Sequence, residues 1–166
     1  AQQDLIRELR GMMNNIPNLA QAIKKTIEES SELKKQVSEF LKEKAVELKK
    51  RLIDEAPEKL GVKVIVFRGG GSSEIMKDVA FQIRGEVKGK FLFVAGVDEG
   101  AKCQLQVMIS DELVAEGLDA SKLIKSGAQF IKGGGGGQPH YATAGGKDVN
   151  GLADAVNAIV EAAGLN

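Results

Sequence analysis

The chain holds one cysteine and one histidine, and that scarcity removes whole classes of chemistry. Cys103 cannot form an internal disulfide and has no cysteine or histidine neighbours at metal-ligand spacing, which suits a reducing compartment. His140 alone supports neither a histidine-rich metal site nor a two-histidine acid–base scheme. A Ser-His-Asp set is arithmetically possible, but no serine sits in anything like a nucleophile elbow. Charge of one sign is also lacking: 23 Lys and Arg stand against 23 Asp and Glu, so attraction for a polyanion has to be local. No apolar run approaches the roughly 20 residues that cross a bilayer, and the N-terminus lacks a charged start followed by an apolar core. These absences predict a cytoplasmic chain with no membrane partner, no metal site and no cofactor. The chain opens at Ala1, without an initiator methionine and mid-helix in character, as a piece cut from something larger would.

What is present is one ordinary core plus an appendage, in 166 residues that are 43% hydrophobic. The organisation divides near Pro57. Before it, a short helical lead-in around Leu5, Ile6 and Leu9 ends near Pro17. A long amphipathic helix follows, carrying Leu19, Ile23, Ile27, Leu33, Val37, Phe40, Leu41, Leu48 and Leu52, about 60 Å long if it runs to Ala56. Its heptads are broken by Ser30, Lys34 and Lys44, so a continuous coiled coil is not implied. Its charges, such as Glu39, Lys42, Glu43, Glu47, Lys49 and Lys50, read as a solvated face or as a contact for another helix. After Gly61 the period changes. Val62 to Arg68, Phe91 to Val97 and Ala101 to Ile109 read as strands, the third half exposed with Cys103, Leu105, Val107 and Ile109 inward and Lys102, Gln104 and Gln106 outward. Asp98-Glu99-Gly100 reads as a hairpin turn, and Ile75, Met76, Val79, Ala80 and Ile83 mark a helix between the first two strands. The expected fold is α/β (α+β): a helical arm over residues 1–60, then a small mixed β-sheet globule packed with helices over 61–166.

The most informative stretch is Gly133 to Gly146, which opens with five consecutive glycines. Ordering each costs roughly 1 kcal/mol relative to alanine, so a structured run needs something to offset the loss, and bare peptide N–H groups approaching a phosphate or nucleotide are one candidate. The alternative is a flexible linker. Against it, packed helices are expected on both sides: Asp119 to Lys132, with Ala120, Leu123, Ile124, Gly127, Ala128 and Ile131 inward, and a closing helix capped by Asp148. Lys122, Lys125, Gln129 and Lys132 fall on one face of the first. Between Ala120 and Lys147 there are four lysines, one histidine and no acidic residue. Gly69-Gly70-Gly71-Ser72-Ser73 also joins a strand to a helix, but it lacks the lysine and spacing of a Walker loop and the third glycine of a dinucleotide fingerprint, so it reads as a turn with serine capping. Cys103, on the apolar face of its strand, reads as core.

The run Ile131 to Gly146 resembles the signature of the DHH-associated domain, in the version that ends bacterial-type alanyl-tRNA synthetases. The family pattern is matched by Gly133, Gly135, Gly136, Gly137, Pro139, Ala142, Gly145 and Gly146. Ser110-Asp111-Glu112-Leu113-Val114 with Gly117, the lysine-bearing helix and the order of elements are similar too, so the likeness covers essentially the whole chain. It implies a non-catalytic C-terminal domain of an ATP-dependent aminoacyl-tRNA ligase. Such a domain would contact the tRNA elbow, where the D and T loops meet, and help the aminoacylation and editing modules act on one tRNA. Two departures stand out: family members often carry lysine at the position of Gly134 and arginine at that of Gln138.

On this reading the RNA-binding residues are Lys122, Lys125, Lys132, Gly133, Gly134, Gly135, Gly136, Gly137, Gln138, Pro139, His140, Tyr141, Gly145, Gly146 and Lys147. The glycines let backbone lie against RNA, His140 or Tyr141 could stack on a base, the lysines hold phosphates and Pro139 stiffens the loop. The lysines can equally be a solvated helix face, and Tyr141 a core or turn residue. Two other functions stay open. One is the substrate-gripping half of a DHH phosphoesterase, which would need an Asp- and His-rich partner domain. The other is a helical unit for bridging or self-association through the arm.

Overall fold

The computed structural model describes residues 2–12 and 18–165. The chain divides into two compact units, residues 1–43 and 44–166. The first contains helix α1 (Gln2–Met12) and the beginning of α2 (Leu19–Glu55); the predicted end of the lead-in at Pro17 lies outside the described residues. Neither glycine nor proline interrupts α2, Asn18 Oδ1 accepts the N–H of Gln21 at its start, and the helix stops two residues before Pro57, as the restricted backbone ahead of a proline requires. Within the first unit Ile27, Leu33 and Val37 of α2 remain more than half exposed.

The second unit is built on a six-stranded sheet in the order β1-β2-β3-β4-β6-β5. Its strands are β1 (Glu58–Lys59), β2 (Val62–Gly70), β3 (Phe91–Asp98), β4 (Cys103–Ile109), β5 (Gly134–Gly137) and β6 (Tyr141–Gly146). β2 and β3 are parallel and joined through α3 (Ser73–Glu86), while every other neighbouring pair is antiparallel. The β1–β2 turn uses two left-handed residues, Leu60 and Gly61, the backbone that a tight hairpin needs. A serine cap opens α3 as expected: Ser72 Oγ accepts from Ile75 N–H, and Glu99 adds a second cap by accepting from both Ser73 N–H and Ser73 Oγ.

Both faces of the sheet are covered. On one, α5 (Ala120–Ala128) and α6 (Leu152–Ala162) pack over Val64, Leu92, Val94, Leu105 and Val107. On the other, α3 and the Lys44–Glu55 part of α2 pack over Ile65, Phe93, Ala95, Val97 and Met108. Covering both faces explains why β3 is buried over seven consecutive residues, Phe91 to Val97, the continuous apolar run of a central strand. Each large side chain so buried contributes about 1.5 to 3 kcal/mol. Gly127 is needed where α5 meets α6, because a Cβ there would lie 2.8 Å from Ala155 O.

Several expectations change. β4 is not half exposed: Gln106 is 1% and Met108 0% exposed, because α3 covers their face and Ser73 O accepts from Gln106 Nε2. The β3–β4 connection is the four residues Glu99 to Lys102, closed by Glu99 N–H on Lys102 O. The helix expected to reach Lys132 ends at Ala128 and tightens into a 3₁₀ turn, Gln129–Ile131. Asp148 caps a second 3₁₀ turn, Val149–Gly151, and α6 starts only at Leu152. Above all, the glycine run is no loop: four of its glycines are an edge strand.

Candidate nucleic-acid interface

The hairpin β5–β6 is tied down along its length. Asp119 caps α5 by accepting from Ser121 N–H and Oγ, and the Ser121 hydroxyl chiefly holds its carboxyl below the usual range. At the other end of α5, Lys132 takes a left-handed backbone (φ 52°), which turns the chain into β5, and Gly133 N–H donates to Ala128 O. The turn is Pro139-His140, flanked by paired hydrogen bonds between Gln138 and Tyr141. Its two carbonyls are held as well: Pro139 O accepts from Ala120 N–H and His140 O from Ile109 N–H. At the open end, Lys147 and Asp148 both donate their N–H groups to Ile131 O.

The glycines fall into two alternating sets. A Cβ at Gly133 would lie 1.9 Å from Gly145 O, at Gly135 2.0 Å from Thr143 O, and at Gly137 2.5 Å from Tyr141 O. Those three are demanded by the closeness of β5 to β6. Gly134, Gly136 and Gly145 are different, since a Cβ at any of them would meet nothing within 4 Å. None of Gly133 to Gly137 has positive φ, so left-handed geometry does not call for glycine here either. β5 is the last strand of the sheet, and an antiparallel ladder turns every second peptide group of an edge strand outward. The product is an exposed strip of bare main chain with hydrogen-bonding groups along its rim.

The predicted residues are only partly gathered. Lys132 and Lys147 flank the open end of the hairpin, and Gln138, Pro139 and His140 form its tip. Lys122 and Lys125 are exposed on α5, which packs on the Ala142 and Ala144 side of the hairpin, the face opposite Thr143. Lys132 has left the helical row that was expected to align it with them. Tyr141 is half-buried, its ring 5.1 Å from that of Phe81 at 52°, and burial pushes its phenol up to about 12.

Missing from the sequence reading is a recess of about 290 Å³ beside α3, lined by Ser73, Glu74, Lys77, Gln104, Gln106, Tyr141 and Thr143. The one hint was that Gln104 and Gln106 share the less apolar side of their strand. A larger cavity, about 510 Å³, lies at the opposite end of the sheet among Leu52, Ala56, Val64, Val156, Val160 and Leu165. Glu55, Lys59, Asn157 and Glu161 also line it, around those apolar walls. Among the described residues no cluster of His, Cys, Asp and Glu is placed to hold a metal, and no helix is long and apolar enough to cross a membrane.

The part of the chain that carries the sheet, its helices and the glycine hairpin falls in a known domain class: residues 52–164 match the DHHA1 domain, and the chain belongs to that family. It is 54% identical over 165 residues to an alanine–tRNA ligase of Parabacteroides distasonis, covering 99% of this chain and 19% of that protein. It is 50% identical over 163 residues to the alanine–tRNA ligase of Bacteroides thetaiotaomicron, again covering 98% of this chain and 19% of the relative. The chain thus spans about a fifth of the length of these curated relatives. Among solved structures it is similar to the C-Ala domain of Aquifex aeolicus alanyl-tRNA synthetase, with a TM-score of 0.52 and 25% identity over 63% of this chain and 94% of that one. A DHH-domain member of the s1p family of ribosomal proteins shares the fold at 13% identity and a TM-score of 0.52, over 80% of this chain and 33% of its own.

Proposed function

We propose that the chain is a tRNA-binding domain of an alanine–tRNA ligase, which holds the tRNA elbow while the aminoacylation and editing modules of the same protein act on that tRNA. On this reading it works in the cytoplasm and has no catalytic residue, metal or cofactor of its own. The observation that carries the reading is the second set of glycines. Gly134 and Gly136 on the edge strand β5, and Gly145 on β6 beside it, would each carry a Cβ into open space, and no packing, no close approach and no left-handed backbone requires glycine there. Bare main chain at such positions suits close contact with ribose and phosphate, recognition by shape that fits a folded RNA. Lys132 and Lys147 stand at one end of the strip to pair with phosphates, and His140 at the other. With glycine at 134 and glutamine at 138, the charge contribution is small and backbone contact carries more of the binding. Each phosphate contact that a lysine does make steepens the salt dependence by about 0.7 to 0.9 units of slope.

The test is binding of the chain to intact tRNA and to an acceptor-stem minihelix without the elbow, repeated with Gly136→Asp and Lys132→Glu. Gly136→Asp is informative because its Cβ meets no neighbour, so the fold is expected to stand. Preference for intact tRNA, lost in both variants, is the expected result. Equal, weak and steeply salt-dependent binding to both RNAs, indifferent to the variants, would leave a mildly basic surface and overturn the reading.

A second reading has a specific observation behind it: exposed Ile27, Leu33 and Val37 on α2 give the arm an apolar stripe that a second copy or a neighbouring module would bury. Light scattering on the full chain across concentration tests self-association, and a monomer throughout counts against it. The phosphoesterase alternative has only a likeness of fold on its side.

A further inference from the structure

Two residues that line the recess beside the hairpin carry buried polar atoms the protein leaves without partners, Gln106 Oε1 and Tyr141 OH. Gln106 is 1% exposed, and its amide orientation is fixed by chemistry: Ser73 O can only accept, so the NH₂ end faces it at 2.7 Å, and the same nitrogen reaches Gln104 Oε1 at 2.7 Å. That leaves Oε1 an orphan acceptor. The Tyr141 hydroxyl can donate or accept and does neither. Buried polar groups are nearly always paired, so two orphans lining one recess mark a place where something from outside supplies the missing bonds.

The strand register shows what surrounds them. Gln106 is opposite Thr143, which is opposite Gly136; Gln104 is opposite Gly145, which is opposite Gly134. Residues directly across an antiparallel pair share a face. On that face of the sheet, Gly134, Gly136 and Gly145 lie beside the lining residues Gln104 and Thr143 and carry no side chains. At about 290 Å³ it is at the lower limit of small-molecule sites, about 300 to 1,000 Å³, room for one ring system.

We propose that this recess takes a single nucleobase of the bound RNA, edge-on to Gln106 Oε1 and Tyr141 OH, with its sugar lying over Gly136 and Gly145. The inference rests on the RNA-binding reading and assigns Tyr141 a different task from stacking: its ring packs on Phe81 and its hydroxyl reads an edge. Each common base offers an N–H donor beside an acceptor on one edge, the groups that an amide oxygen and a phenol hydroxyl can pair with. Both protein atoms lie beneath the surface, so a base enters by displacing a lining side chain. Lys77 and Glu74 at the recess are both exposed, so the Lys77 ammonium is on hand for the accompanying phosphate while the Glu74 carboxylate offsets part of its charge.

The test is NMR titration of the full chain with each of the four ribonucleoside 5′-monophosphates, with ribose 5-phosphate as the baseless control, in wild type, Tyr141→Phe and Gln106→Met. Melting temperatures establish that the variants fold. The expected result is saturable shifts of Gln104, Gln106, Tyr141 and Thr143 with at least one nucleotide and not with the control. Tyr141→Phe, which removes one oxygen, is expected to weaken that binding about tenfold, the equivalent of about 1.4 kcal/mol. Shifts identical with ribose 5-phosphate, no shifts, or unchanged affinity in both variants would mean the recess holds water and would overturn the proposal. A parallel titration with intact tRNA separates the two readings. Wild-type preference for tRNA retained in both variants sinks the base pocket and keeps the elbow reading. No tRNA preference in wild type sinks the elbow reading, and the nucleotide titration still decides the pocket.

Discussion

Replacing Gly135 and Gly136 by alanine, one at a time, should give opposite results from adjacent positions of one strand. At Gly135 the new methyl would sit 2.0 Å from Thr143 O, 2.5 Å from Ala144 Cα and 2.7 Å from Ala144 Cβ. Two of those atoms are backbone, held by the pairing of β6 with β4, so no side-chain rotation relieves the overlap. Overpacking of this kind typically costs 1 to 3 kcal/mol, and with main chain on both sides the upper end, about 3 kcal/mol, is expected. At Gly136 the methyl meets nothing, φ is not left-handed, and the loss of unfolded-state freedom stabilises by about 0.4 to 1 kcal/mol. At roughly 4 °C per kcal/mol for a unit of this size, Gly135→Ala should lower the melting temperature by about 12 °C and Gly136→Ala raise it by about 2 to 4 °C. Urea titration followed by circular dichroism gives the free energies, and calorimetry the temperatures. Equal losses at the two positions would refute the division of the glycines into a packing set and a bare set, and with it the main support for the functional reading.

Three further outcomes are expected. The Ser73 hydroxyl and N–H hold the Glu99 carboxyl below its ordinary range, so its contribution is present above about pH 4.3 and disappears as pH falls through the lower folded value; Glu99→Gln should lose about 1 kcal/mol at pH 7, a loss that shrinks as pH is taken down through the folded value, by urea midpoints in a pH series. Cys103 is 2% exposed, and burial, then Asp98 and Asp148, push its thiol up. A disulfide dye should therefore label it at once in urea and only over many minutes in buffer at pH 8, and a fast native burst would contradict this. Lys49 Nζ lies 2.6 Å from Glu86 Oε1 and 2.9 Å from Gln82 Oε1 while the residue is 8% exposed. Glu86→Ala, which removes the carboxylate beside that ammonium and leaves it only the Gln82 amide oxygen, should cost about 2 kcal/mol and Lys49→Met less than about 1, and the reverse order in denaturation would show that packing outweighs charge there.

Much of the sheet was legible because central strands advertise themselves: Phe91 to Val97 has no polar interruption, and the helix between β2 and β3 carries its apolar residues at helical spacing. β4 was misread because alternation reports polarity, and polarity is not exposure when a glutamine finds a carbonyl beneath a covering helix. The glycine strand was illegible for a simpler reason. Glycine has low strand propensity and no side chain to alternate, so its pairing is imposed by β6, where Ala142 and Ala144 point one way and Tyr141 and Thr143 the other. The expected alignment of the lysines on one face did not survive folding. A single left-handed residue, Lys132, decouples the α5 charges from the hairpin. The recess joins Ser73, Gln106 and Tyr141, residues far apart in sequence that only the register of β4, with α3 laid beside it, brings to one place.

An open sheet edge normally invites a second chain to add a strand, which is how folded proteins begin to aggregate. Here the free edge is polyglycine, the composition least able to hold a recruited strand. It gives an incoming chain no apolar side chains to zip against, and ordering it across a new interface is entropically expensive. The bareness that leaves these peptide groups accessible thereby also weakens their hold on a recruited strand, so accessibility and edge protection come from one choice of residue. Lysine or arginine would also guard an edge, by charge; glycine guards it by offering nothing to grip.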